Sequence, residues 1–178
     1  VVIAEDEAII RLDLKETLEE EGYEVVAETG RGDEAVELVR QHNPDVAILD
    51  IKMPGLDGLS AAREIAGERR AAVLILTAFS QRDLIERARD AGALAYLVKP
   101  LDFDDLLKRV QEGVQLRKVQ QAVVSSSKRI QDWSAELGQL AAGFGRTGLP
   151  GTVSVQHMLG MVLGRMGETL LDLKHLVD

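Results

Sequence analysis

Five short apolar runs, each followed by an amphipathic stretch, constrain this chain more than any other feature of its sequence. The runs are Val1–Glu5, Tyr23–Glu28, Val46–Leu49, Val73–Thr77 and Ala95–Val98. They are rich in Val, Ile and Leu, and several lack strict apolar/polar alternation, which is the pattern of parallel strands covered on both faces. The spacing that follows each run predicts helices near 8–21, 33–42, 57–66, 81–91 and 102–114. Turn formers stand at the joints: Gly22, Gly30-Arg31-Gly32, Asn43-Pro44, Pro54-Gly55, Gly67, Gly92 and Pro100. Five β–α units within residues 1–115 predict an α/β fold with a flavodoxin-like, doubly wound, five-stranded parallel sheet. The expected strand order is 2-1-3-4-5, with any site at the carboxyl ends of the strands.

Beyond this unit the pattern changes. Residues 116–178 show no strand periodicity. Leu116, Val119, Val123, Ser126, Ile130, Trp133, Leu137, Leu140 and Phe144 follow alternating steps of three and four, a heptad seam. Gly143, Gly145, Gly148, Pro150 and Gly151 are expected to break this helix. A second seam runs through Leu159, Leu163, Met166, Leu170, Leu173 and Val177. Two seams around a Gly/Pro turn predict an α-helical coiled-coil hairpin over 116–178. A lone hairpin leaves apolar surface uncovered, so a homodimer is expected; folding back on the first unit is the alternative. Gly160, Gly164 and Gly167 weaken the second helix and make it dependent on packing.

Charge narrows the function further. Residues 1–115 carry 25 acidic and 14 basic side chains, whereas 116–178 carry 5 and 7. The acidic front argues against generic nucleic-acid binding there, and the tail is too weakly basic to imply it. With no cysteine, disulfide staples and thiolate metal sites are excluded. No run approaches about 18 apolar residues, so no membrane partner is expected. No basic leader precedes the first strand, and a cytoplasmic location is expected. A buried strand seldom starts at residue one, so the intact protein is expected to carry a few residues before Val1.

The chemistry concentrates at the strand ends. The first strand ends in Glu5-Asp6-Glu7, the third in Asp50, the fourth in Thr77 and the fifth in Lys99-Pro100. In a parallel sheet these positions share one edge. Carboxylates crowded there repel one another unless a cation lies between them. Oxygen ligands without His or Cys favour a hard ion, Mg²⁺ above all. A lysine opposite can hold an anion, and an aspartate beside the ion is placed to attack phosphorus.

The segments I-A-E-D-E, D-I-K-M-P-G-L-D-G, L-T-A and Y-L-V-K-P resemble the receiver domain of two-component response regulators. The resemblance covers residues 1–115. The stretch from Leu76 to Leu101 is most similar to receivers of the ANTAR antitermination regulators, which bind RNA. The resemblance implies that Asp50 is the phosphoacceptor and that a histidine kinase is the donor. It implies that Asp6 and Asp50 ligate Mg²⁺, that Glu5 acts mainly through a metal-bound water, and that the Lys52 backbone carbonyl is a further ligand. Lys99 would pair with the phosphoryl group, Thr77 would hydrogen-bond to it, and Tyr96 would be the aromatic switch that follows Thr77. Glu5 stands where an aspartate is commoner. The ANTAR module itself, a three-helix RNA-binding unit, has no counterpart in 116–178, and the tail sequence does not support RNA as a partner.

The expected function is a phosphorylation-controlled switch with a dimerising helical output, not an enzyme. An RNA-binding antiterminator with a diverged output domain is the alternative. An aspartyl-nucleophile hydrolase ranks last, because Lys52 occupies the position where a second carboxylate would be needed. Gly30-Arg31-Gly32 lacks the full glycine spacing of a nucleotide loop and reads as a plain turn. His42, His157 and His175 have no metal-ligand partners in the sequence pattern.

Overall fold

The computed structural model describes residues 1–78 and 82–147, and in the last segment residues 160–161, 164–165, 167–169 and 171. Its five strands are β1 (Val2–Ala4), β2 (Ala27–Thr29), β3 (Val46–Asp50), β4 (Ala72–Thr77) and β5 (Ala95–Val98). They alternate with α1 (Ala8–Glu20), α2 (Gly32–His42), α3 (Gly58–Gly67), α4 (Arg82–Asp90) and α5 (Phe103–Thr147). All pairings are parallel and the order is β2-β1-β3-β4-β5, as the run pattern predicts.

The continuous apolar runs have a direct cause. Successive side chains of a strand point to opposite faces, and here both faces are covered. Val2, Ala4, Ala47, Leu49, Val73 and Ile75 belong to the core beneath α2, α3 and α4. Ile3, Val46, Ile48, Leu74 and Leu76 belong to a second core, with Leu14 and Leu18 of α1 and Leu106 and Val110 of α5. The helices end as their sequences direct. Asn43 takes the left-handed conformation at the end of α2, with φ of 46°, and its N–H donates to the Val39 carbonyl. Asp57 caps α3, its Oδ1 accepting from the Leu59 and Ser60 N–H groups at 3.0 Å each.

Two expectations change. Strand β2 begins at Ala27 rather than Tyr23, because the Tyr23 N–H is engaged in closing the end of α1 on the Leu18 carbonyl. Helix α5 runs from Phe103 to Thr147, so Gly143 and Gly145 lie within it, while Gly148, Pro150 and Gly151, the rest of the expected break, lie outside the described residues. A helical glycine costs about 1 kcal/mol relative to alanine, which weakens a long helix without stopping it. Gly113 allows α5 to lie close against the sheet, since a Cβ there would fall 2.9 Å from Val46 Cγ2. Four residues on, the buried Arg117 donates to the Arg69 carbonyl at 2.6 Å.

The chain divides into two compact units, Val1–Arg117 and Lys118–Asp178. Along the first heptad seam Leu116, Val123 and Ile130 are exposed, Trp133 is half-buried and Ser126 is buried. The second-seam residues Leu159, Leu163, Met166, Leu170, Leu173 and Val177 lie outside the described residues, as do His157 and His175. Among the described residues no helix is long and apolar enough to cross a membrane.

Leu106 is fully buried on the part of α5 that closes the second core. Leu106→Ala is expected to destabilise the protein by about 2–5 kcal/mol. Urea unfolding followed by circular dichroism measures this directly.

Candidate functional site

The register of the sheet assembles the site. Asp50 pairs with Leu76 and Thr77 with Val98, so the last residues of β3, β4 and β5 reach one edge together. Backbone bonds continue past the strands: Glu5 N–H donates to the Thr29 carbonyl at 3.0 Å, Ile51 N–H to Leu76 at 3.1 Å, and Lys99 N–H to Thr77 at 2.7 Å. Glu5, Asp6, Asp50, Thr77 and Lys99 therefore converge as their positions predict.

Lys99 Nζ lies 2.6 Å from Glu5 Oε2 and 3.0 Å from Asp50 Oδ1. Glu5 is fully buried, Asp50 and Thr77 are buried, and Asp6 is exposed. The other Asp50 oxygen accepts from the Lys52 N–H at 2.9 Å, and Glu5 Oε1 accepts from the Glu7 N–H at 3.3 Å. Burial pushes the Glu5 carboxyl above its ordinary 4.5; the bond to Lys99 opposes this and the like charge of Asp50 reinforces it. Burial alone would lower the Lys99 ammonium, but its bonds to Glu5 and Asp50 outweigh it and hold the group above its ordinary 10.5.

This donor set suits a hard cation. Carboxylate oxygens of Glu5, Asp6 and Asp50 lie within 4.8 Å of one another. Glu5 Oε2 is buried, and its described partner is the Lys99 ammonium. Three carboxylates facing one ammonium leave negative charge to be neutralised, and oxygen-only ligands favour Mg²⁺ or Ca²⁺ over softer metals. Beside them opens a cavity of about 500 Å³ lined by Asp6, Lys52, Met53, Asp57, Leu84 and Arg87. Tyr96 stands opposite Ile75 in the β4–β5 register, half-buried against the core beneath α4.

Several contributors have no obvious sequence signal. Arg11 Nη1 donates to the Glu5 carbonyl and ties α1 to the end of β1. Gly58 lies so close to the end of β3 that a Cβ there would fall 1.9 Å from the Asp50 carbonyl oxygen. Gly32 holds a comparable position against Leu56. Only the paired glycines at 30 and 32 marked that turn in the sequence.

An acidic triad closed by one lysine at the carboxyl edge of a 2-1-3-4-5 sheet is the arrangement of a signal-receiver domain. A family model of the response regulator receiver domain matches residues 1–111, and the chain belongs to that family. It is 61% identical over 114 residues to the transcriptional regulatory protein PdtaR of Mycobacterium tuberculosis, a match covering 64% of this chain and 56% of that protein. The chain thus spans little more than half the length of that relative. It is 35% identical over 113 residues to the chemotaxis protein CheY of Bacillus subtilis, covering 63% of this chain and 94% of that one. Similar solved structures include a LuxR-family DNA-binding response regulator from Staphylococcus aureus, with a TM-score of 0.60 and 31% identity over 64% of this chain and 96% of that one. Another is the CheX–CheY–BeF₃–Mg²⁺ complex of Borrelia burgdorferi, at 0.59 and 29%, covering 62% and 85%.

The raised Glu5 carboxyl has a consequence for stability. The folded protein holds that proton more tightly than the unfolded chain, which releases it near 4.5. The resulting stabilisation is complete below 4.5 and is lost as pH rises through the folded value. Glu5→Gln cannot ionise. In metal-free buffer its stability relative to wild type is expected to increase as pH is raised from 4.5 to neutrality, measured by urea unfolding at each pH.

Proposed function

We propose that this chain is a two-component response regulator in which a histidine kinase transfers a phosphoryl group to Asp50. The observation that carries this reading is Asp50 itself, a buried carboxylate with Lys99 Nζ at 3.0 Å and the Glu5 and Asp6 oxygens beside it. Asp50 attacks phosphorus, the bond to the kinase imidazole nitrogen breaks, and the imidazole departs with the electron pair. Asp6, Asp50 and the Lys52 carbonyl would hold Mg²⁺, with Glu5 acting on it at one remove. When bound, Mg²⁺ neutralises charge on the carboxylates and the transferring group. Lys99 exchanges its contact with Glu5 for a phosphoryl oxygen, and the Thr77 hydroxyl donates to another. The relative crystallised with BeF₃ and Mg²⁺ supports the same chemistry here.

Phosphorylation adds about two negative charges in place of one carboxylate, a local electrostatic change able to bias a two-state element. Thr77 moves toward the phosphoryl group and Tyr96 follows it inward. The helical region 116–178 is the output, as part of a protein acting in the cytoplasm. Its exposed seam residues Leu116, Val123 and Ile130 pair with the same residues of a second copy, since a heptad repeat is satisfied by another heptad. An RNA-binding antiterminator is the second reading, favoured by the 61% identity to a transcriptional regulatory protein. Salt-dependent binding of RNA by the full chain would favour it.

Incubated with Mg²⁺ and a small acyl phosphate, the wild type is expected to gain one phosphoryl group by mass spectrometry, and Asp50→Asn none. Labelling of Asp50→Asn to the wild-type level contradicts the assignment. For the output, light scattering is expected to find a dimer in the wild type and a shift toward monomer in Val123→Glu. Val123 is 53% exposed within one chain, so the charge is tolerated by the monomer. A monomeric wild type at micromolar concentration rules out the pairing.

A further inference from the structure

The turn Gly30-Arg31-Gly32 is braced on both sides and touches both halves of the acidic pocket. The Arg31 N–H donates to Thr29 Oγ1 at 3.1 Å, and that hydroxyl donates to Glu34 Oε2 at 2.5 Å. On one side Gly30 packs on β1: a Cβ there would lie 3.5 Å from Asp6 Cα, in ordinary contact. On the other side Gly32 meets the β3–α3 loop, residues 51–57. Its N–H donates to the Pro54 carbonyl at 3.2 Å. A Cβ at Gly32 would fall 1.9 Å from the Leu56 carbonyl oxygen and 2.8 Å from its carbon. Both atoms are backbone, so no side-chain rotation relieves the clash.

The same loop is seated a second time by α2. Gly55, with φ of 80°, lies over Asp33, and a Cβ there would fall 2.3 Å from Asp33 Oδ1. Arg31 Nη2 and Nε hold the Asp33 carboxylate at 2.8 and 3.1 Å. At its far end the loop is closed by Gly58, whose N–H donates to the Ile51 carbonyl at 2.9 Å. Between these fixed points lies Lys52, whose N–H binds Asp50 Oδ2.

We propose that Gly32 is a positioning residue for the cation pocket: its missing side chain lets the β3–α3 loop seat on the start of α2, and this fixes Lys52 against Asp50. A methyl group at Gly32 forces Leu56 away, and the displacement passes along a short, tethered loop to Lys52. The inference rests on the reading of this pocket as a Mg²⁺ site.

The test is calorimetric titration of the full chain with Mg²⁺, together with acyl-phosphate labelling of Asp50 across Mg²⁺ concentrations. Gly92→Ala is the control for general destabilisation, because Gly92 has φ of 85° and a Cβ there would meet Ala66 Cβ at 2.7 Å, with no pocket residue among its contacts. Gly32→Ala is expected to weaken Mg²⁺ binding by about 10- to 100-fold, the range seen when groups that orient metal ligands are lost. Its labelling is expected to recover at high Mg²⁺. Gly92→Ala is expected to melt lower yet titrate like the wild type. Wild-type Mg²⁺ affinity in Gly32→Ala overturns the proposal, and so does an equal loss of affinity in Gly92→Ala. If Gly32→Ala fails to fold, Asp33→Ala decides: weakened Mg²⁺ binding supports the seat and unchanged binding overturns it. A wild type that takes up no Mg²⁺ overturns the underlying reading along with this inference, whereas a wild type that binds beside an unaffected Gly32→Ala overturns the inference alone.

Discussion

Glu5 is fully buried and ionisable, and Lys99 is what makes that tenable. An unpaired carboxylate in a protein interior is costly enough to change its protonation state, whereas a paired one is tolerated. The pair spans the sheet. Glu5 follows β1 and Lys99 follows β5, with β3 and β4 between them, roughly 14 Å of sheet at ordinary strand spacing. Only two long side chains meet across such a distance, and Asp50, at the end of β3, lies within the span. Glu5 and the lysine meet at 2.6 Å. Strand order, register and helix cover all serve to hold that contact, since a slip of any of these strands would separate the two charges.

The sheet and its carboxyl edge were legible in the sequence because their signals are local and redundant. Apolar runs, turn residues and strand-end carboxylates each point to the same topology, and strand-end placement alone brings Glu5, Asp6, Asp50, Thr77 and Lys99 together. What was not legible depends on individual contacts that no pattern announces. Gly32 reads as a turn former, and nothing near it announces that Leu56 will arrive within reach of its absent side chain. Arg11 reads as an exposed helical arginine, yet its partner is the carbonyl of Glu5. The start of β2 was misplaced for a related reason: Tyr23 has strand character, but the end of α1 claims its N–H first.

Helix α5 shows how far a local signal reaches. Gly143 and Gly145 suggest a break, but helix formation is cooperative, and a long helix absorbs a penalty that would melt a short one. The same helix closes the receiver core through Leu106 and Val110 and then carries the seam residues Val123 and Ile130. No linker separates the part that packs against the sheet from the part that belongs to the second unit. A change in how α5 is held at Gly113 or Arg117 acts on the same helix that carries those seam residues.

Trp133 lies on that seam, half-buried, and is the chain's one tryptophan; the two tyrosines, Tyr23 and Tyr96, both belong to the first unit. The molecule therefore carries its two kinds of chromophore in separate units. Light absorbed by indole alone reports the surroundings of a residue in the second unit. A change in that emission on loading Asp50 would be a response of the second unit, read out optically without any attached label.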